Sequence, residues 1–191
     1  MIQETELLAP AKDKQTAIEA INCGADAVYI GAPKFGARKN VPNTLEDIKD
    51  VVNYAHKFWA KVFVTMNTIL TDSELDEAVD LAKKLSEIGV DALIIQDMGL
   101  LNKLMRILPS LEGEGERSSD GVIYKLAPIH MSTQCDNYLP EKVKFFNEIG
   151  VSRVILARKL LVLNLDFLYE FFVFAQLKAL LQELLLKPLF H

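Results

Sequence analysis

Gly24-Ala25-Asp26-Ala27-Val28-Tyr29-Ile30-Gly31 returns as Gly89-Val90-Asp91-Ala92-Leu93-Ile94-Ile95-Gln96, and more loosely as Gly150-Val151-Ser152-Arg153-Val154-Ile155-Leu156-Ala157. Each copy follows an amphipathic helical pattern and opens a short apolar run. Glycine is the expected helix terminator, because it enters the left-handed conformation without a Cβ penalty. Consecutive apolar residues suit parallel strands buried on both faces. The copies begin about sixty residues apart, which is two helix–strand units of roughly thirty residues each. An internal repeat of this kind organises the whole chain.

The intervening segments supply the remaining units. Glu6-Leu7-Leu8-Ala9-Pro10 reads as a first strand, followed by a helix from about Lys14 to Cys23. Thr44, with Asp47 three residues on, caps a helix carrying Leu45, Ile48, Val51, Val52 and Ala55 on one side. Lys61–Asn67 is the next strand, and Asp72 or Ser73 caps the long helix after it. Ala127–Ser132 is a fifth strand, Leu139-Pro140-Glu141 starts a helix, and Val154–Ala157 is a sixth strand. Alternating strands and helices define an α/β fold with a parallel sheet. The two-unit rhythm favours a TIM-type (β/α) barrel over a doubly wound sheet. A full barrel takes ~250 residues, so about six βα units make an incomplete barrel over residues 1–159. Residues 111–125 read as a polar, glycine-rich surface insertion, and residues 160–191 as a Leu/Phe-rich helical tail.

Composition narrows the function classes. The chain has 191 residues, 50% hydrophobic and 25% charged, with a net charge of −5. That balance describes a globular protein and excludes one that coats nucleic acid, so any RNA contact must rest on a local basic patch. Asn164, Asp166, Glu170, Lys178 and Glu183 interrupt the apolar tail, leaving no span of the ~20 apolar residues a membrane crossing needs. The N-terminus lacks a signal-peptide layout, and a reduced, cytoplasmic setting is expected. The two cysteines, Cys23 and Cys135, are too few for a disulfide framework or a four-thiolate iron–sulfur cluster. Cys23, beside Gly24, is expected to be a packing residue.

Polar groups collect where the strands end, which is the working face of a barrel. Asn67, Asp97, His130, Ser132, Gln134 and Arg158 follow strands three to six, with Arg38 beyond the second. They are the candidate substrate-binding residues, expected to converge on one rim. His130, Asp97 and Cys135 are the candidate catalytic groups. His130 titrates nearest neutrality, and Cys135 could pair with it as a thiolate–imidazole dyad. A metal site from His130, Cys135, Asp136 and Asp97 has donors but no diagnostic spacing, and none is assigned. Strand-end Asp97 could equally cap the next helix, and Asn67 could satisfy loop backbone. The common hydrolase and nucleotide motifs are absent.

Taken in order, Glu6–Ala11, Gly24–Gly31 with Phe35-Gly36-Ala37-Arg38, Val64–Thr68, Gly89–Asp97, His130–Gln134 and Ser152–Arg158 resemble the peptidase U32 family, also called collagenase-like proteases. The resemblance implies a barrel-like region and one of two activities: peptidase, or oxygen-independent hydroxylation of tRNA or rRNA bases or of ubiquinone precursors. Peptide or RNA is the implied substrate. Hydroxylating relatives hold an iron–sulfur cluster on four cysteines after the sixth strand. Here Ala157-Arg158-Lys159-Leu160-Leu161 leads into the tail instead, as in a truncated or frameshifted product, and no cofactor is assigned to this chain. The alternative is a non-catalytic assembly module that self-associates through Leu177, Leu181 and Leu184.

Overall fold

Parallel neighbours cannot be joined by tight turns, so each strand pair needs a crossover, usually helical. The computed structural model describes residues 6–37, 43–107 and 126–157. Its strands are β1 (Leu8–Ala11), β2 (Ala27–Gly31), β3 (Lys61–Met66), β4 (Ala92–Ile95), β5 (Ile129–Met131) and β6 (Arg153–Val154). The helices are α1 (Lys14–Asn22), α2 (Leu45–Ala55), α3 (Leu75–Ile88), α4 (Met98–Ile107) and α5 (Pro140–Glu148). The strands pair in sequence order, β1-β2-β3-β4-β5-β6, each pair parallel. A doubly wound sheet reverses its order partway; this sheet runs in one direction, as a barrel does.

Alternation along the strands sorts side chains onto two faces. Val28, Ile30, Val64, Leu93, Ile95 and Ile129 pack with Ile48, Val51, Leu85 and Leu104 of the helices. Ala27, Tyr29, Phe63, Ala92 and Ile94 join Leu8 and Ile155 in a second cluster on the helix-free face. Arg153 of β6 lies over the Phe63 ring at 5.3 Å and donates from Nη1 to Glu6 Oε2 at 2.6 Å. Glu6 lies two residues before β1, so this contact draws the two outer strands together across the helix-free face.

The repeated octapeptide has a structural job. Gly24, Gly89 and Gly150 all take left-handed φ values, 93°, 95° and 93°. Two residues later, the backbone N–H groups of Asp26, Asp91 and Ser152 donate to the carbonyls of Leu7, Val62 and Ile129. The side chains close the same loop. Leu7 N–H donates to Asp26 Oδ2 and Val62 N–H to Asp91 Oδ2, both at 2.7 Å. In the looser third copy the Ser152 hydroxyl donates to the Ile129 carbonyl at 2.7 Å. Each copy thus clamps the start of the strand preceding its own.

Thr44 and Asp47 form the expected reciprocal cap on α2, and Pro140 lies in the first turn of α5. The cap before α3 differs from the sequence expectation. Thr71, not Asp72 or Ser73, bonds reciprocally with Glu74, and a 3-10 turn (Asp72–Glu74) leads into the helix. Cys23 is exposed rather than packed. The insertion (111–125) and the tail (160–191) lie outside the described residues. Among the described residues no helix is long and apolar enough to cross a membrane.

Because Val62 is buried and Leu7 is exposed, the two aspartate clamps differ in worth. Asp91→Ala strands a buried donor and should lower the unfolding free energy by about 1–3 kcal/mol. Asp26→Ala should cost less, since water can replace its carboxylate. Urea denaturation of both variants checks the ordering, and an equal or reversed cost would count against the clamp.

Candidate functional site

Loops leaving parallel strands carry backbone groups that the sheet does not satisfy. At the carboxyl rim, side chains meet that demand one strand after another. Asn43 Nδ2 donates to the carbonyls of Lys12 at 3.3 Å and Gly31 at 3.1 Å, joining the ends of β1 and β2. Asn67 Oδ1 accepts from Ala37 N–H at 3.1 Å, tying the loop after β3 to that after β2. Asp97 accepts from Leu70 N–H at 3.2 Å and, at the start of α4, from Leu100 N–H at 2.8 Å. The Cys135 thiol donates to the Gln96 carbonyl at 3.4 Å. Asn137, fully buried, donates from Nδ2 to the carbonyls of Ser132 at 2.8 Å and Ile155 at 2.9 Å, joining β5 to β6.

His130 belongs to the helix-free face. Its ring meets Phe63 edge-on, with centroids 4.9 Å apart, and the residue is only 6% exposed. Nδ1 is buried without a hydrogen-bond partner among the described residues. Burial, reinforced by the Arg153 charge, pushes the imidazole pKa down to about 4, with Lys61 adding to the fall and Glu6 opposing it. For Glu6, burial alone would raise the carboxyl. Hydrogen bonds and charge from Lys61, at 2.8 Å, and Arg153, at 2.6 Å, outweigh it and hold the group below its ordinary value. The interior therefore presents a neutral imidazole beside a bridged carboxylate, suited to hydrogen bonding in both directions. It is not a proton donor at neutral pH.

The structure separates the candidate residues. Asn67, Asp97 and Cys135 are committed to loop backbone, and Asp97 takes the capping role. His130 is turned to the opposite, helix-free face. Ser132 Oγ accepts from Gln134 N–H at 3.2 Å within a single turn, and the Gln134 side chain is exposed. Cys135 packs against the helix-side core and His130 against Phe63, so the dyad is not assembled. Burial raises the Cys135 thiol pKa, against smaller opposing effects of Lys142 and the Ser132 backbone. Arg38 and Arg158 lie outside the described residues. Asn43, Asn137, Glu6 and Arg153 carry much of the geometry without any local sequence signal; their partners are distant in the chain.

Among the described residues no group of three or more His, Cys, Asp or Glu could hold a metal. The two cysteines sit at opposite ends of the sheet, Cys23 before β2 and Cys135 after β5. The residues present do not fit an iron–sulfur cluster.

A parallel sheet in barrel order, with repeated aspartate clamps at one end and side-chain ties at the other, defines the class. The chain belongs to peptidase family U32, whose family model matches residues 12–116 and 121–171. It is 48% identical over 161 residues to the 23S rRNA 5-hydroxycytidine C2501 synthase of Escherichia coli, covering 84% of this chain and 21% of that protein. It is 33% identical over 158 residues to tRNA hydroxylation protein P1 of Bacillus subtilis, covering 82% and 34%. An uncharacterised protease of Methanocaldococcus jannaschii is 30% identical over 161 residues, covering 84% and 35%. The chain thus spans about a fifth to a third of the length of these relatives. The solved structure of a U32 peptidase shares the fold, with TM-score 0.56 and 15% identity, over 82% of this chain and 60% of that one.

Two measurements check the site electrostatics. With a folded pKa near 4 and an ordinary value of 6.5, His130 resists a proton that the unfolded chain accepts. Its contribution is intact above pH 6.5 and is lost as the pH falls toward 4, by up to roughly 3 kcal/mol. His130→Gln should flatten the stability profile between pH 6.5 and 4.5, and an unchanged slope would contradict the assignment. Iodoacetamide at neutral pH should label exposed Cys23 well before half-buried Cys135; faster labelling of Cys135 would contradict its placement.

Proposed function

We propose that this chain is the barrel region of a protein that hydroxylates RNA bases, with a ribosomal-RNA cytidine as substrate class. The observation that carries the reading is the 48% identity over 161 residues to the rRNA 5-hydroxycytidine synthase, against 30% to the uncharacterised protease. The site supports it from a second direction. A peptidase of the cysteine type needs a thiolate beside an imidazole. Here the thiol is kept protonated by burial and bonded to the Gln96 carbonyl, while His130 faces elsewhere.

In this reading the chain's own residues hold and orient the nucleotide. RNA recognition relies on stacking and on hydrogen bonds to base edges. The helix-free face offers the half-buried Tyr29 ring, the neutral His130 imidazole and the Arg153 guanidinium.

A chimera tests the proposal. The matching segment of the Escherichia coli synthase is replaced by this chain's residues and expressed in a strain lacking the synthase, and 5-hydroxycytidine in 23S rRNA is measured by mass spectrometry. Modification should be restored, and His130→Ala within the chimera should reduce it at unchanged protein level. A soluble, folded chimera that leaves the rRNA unmodified would overturn the reading.

A further inference from the structure

Arg153 belongs to β6, a strand of two residues that pairs with β5 through His130↔Arg153 and Met131↔Val154. So short a strand fixes where the side chain starts and leaves its long stem free to choose among rotamers. Two contacts on the helix-free face remove that freedom. The guanidinium lies over the Phe63 ring at 5.3 Å, and its Nη1 donates to Glu6 Oε2 at 2.6 Å. The other oxygen of the same carboxylate, Oε1, accepts from Lys61 Nζ of β3 at 2.8 Å. Glu6 is the most buried of the three, its side chain 21% exposed against 42% for Arg153 and 52% for Lys61. An isolated exposed ion pair contributes little, but a carboxylate whose two oxygens are engaged by cations from different strands is a network.

His130 sits inside this arrangement. It is the register partner of Arg153 and meets Phe63 edge-on, with centroids 4.9 Å apart. Ile94, its partner on β4, carries no charge, so the charged groups that act on the imidazole are Arg153, Glu6 and Lys61. We propose that Glu6 is a positioning residue, which holds the Arg153 guanidinium against Phe63 and beside His130 on the helix-free face. The functional consequence rests on the hydroxylation reading above, in which Arg153 and His130 meet the nucleotide and Glu6 acts only through them. A carboxylate that acted merely as a charge would have the opposite effect on the imidazole. Arg153 opposes protonation of His130 more than Glu6 favours it, and Lys61 opposes it least. Losing the Glu6 charge alone lowers the imidazole pKa, whereas losing it together with the placement of Arg153 raises it.

That difference in sign makes the test direct. The full chain is labelled with 15N-histidine and titrated by NMR. It has three histidines, and His130→Gln identifies the resonance of interest. In the parent chain the His130 midpoint lies at about 4. Glu6→Ala should raise it, and so should Arg153→Ala. In the Arg153→Ala background the sign reverses: Glu6→Ala then removes the carboxylate and at most the weaker effect of Lys61, so the midpoint should fall. Glu6→Met keeps the length of the side chain without an acceptor, and should repeat both results where Glu6→Ala lowers stability. A general loosening of the fold moves the midpoint in one direction in both backgrounds. A shift of one sign in both, or an unchanged midpoint in Glu6→Ala and Glu6→Met, would overturn the positioning role. Either failure leaves the hydroxylation reading standing, because that reading depends on rRNA modification by the chimera. An inactive chimera, in turn, leaves the midpoint shifts of the chain itself standing.

Discussion

Six parallel strands deliver their chain ends to the same rim, and the backbone groups there must find partners before any pocket can exist. In this protein side chains meet that requirement in succession: Asn43 between β1 and β2, Asn67 between the loops of β2 and β3, Asp97 from the loop of β3 to α4, Cys135 between β4 and β5, and Asn137 between β5 and β6. Because each of them spans neighbouring segments, the loops are held as one structure. The polarity of the rim is in large part this structural demand. In the proposed function, recognition falls to the groups that face inward.

The two ends of the sheet are built differently. At the amino end the repeated Gly-x-Asp clamps and the Glu6 bridge to Lys61 and Arg153 fix where strands begin and draw β6 toward β1. That bridge also sets the chemistry above it. Arg153 over Phe63 keeps a positive charge beside His130, which with burial holds the imidazole neutral. A neutral histidine packed edge-on against Phe63 suits hydrogen bonding better than it suits acid catalysis.

The fold was legible because its signals are local. Glycines at 24, 89 and 150 stop helices in the one conformation they tolerate best, the apolar runs after them become strands, and Thr44 with Asp47 caps α2 as their spacing indicates. The site was less legible because its contacts are not local. Asn137 reaches a carbonyl eighteen positions away and Arg153 a carboxylate 147 positions away, and neither leaves a periodic trace. Asp97 illustrates the remaining ambiguity: a strand-end aspartate has the same appearance whether it orients a substrate or caps a helix, and only its two backbone donors distinguish the roles. The cap before α3 slipped to Thr71 because the reciprocal bond with Glu74 outcompetes the alternatives beside it. Trp59, left-handed at φ 61°, gave no turn signal, since left-handed turns are ordinarily marked by glycine or asparagine.

In the proposed function the helix-free face, and not the tied rim, receives an RNA base. Photo-crosslinking tests it most directly, using a 23S rRNA fragment with 5-iodocytidine at the position modified by the Escherichia coli synthase and mass-spectrometric mapping of the attached residue. Attachment at Tyr29, His130 or neighbouring inward-facing positions is the expected result. Attachment confined to the helical layer, or none from a fragment that demonstrably binds, would contradict the claim.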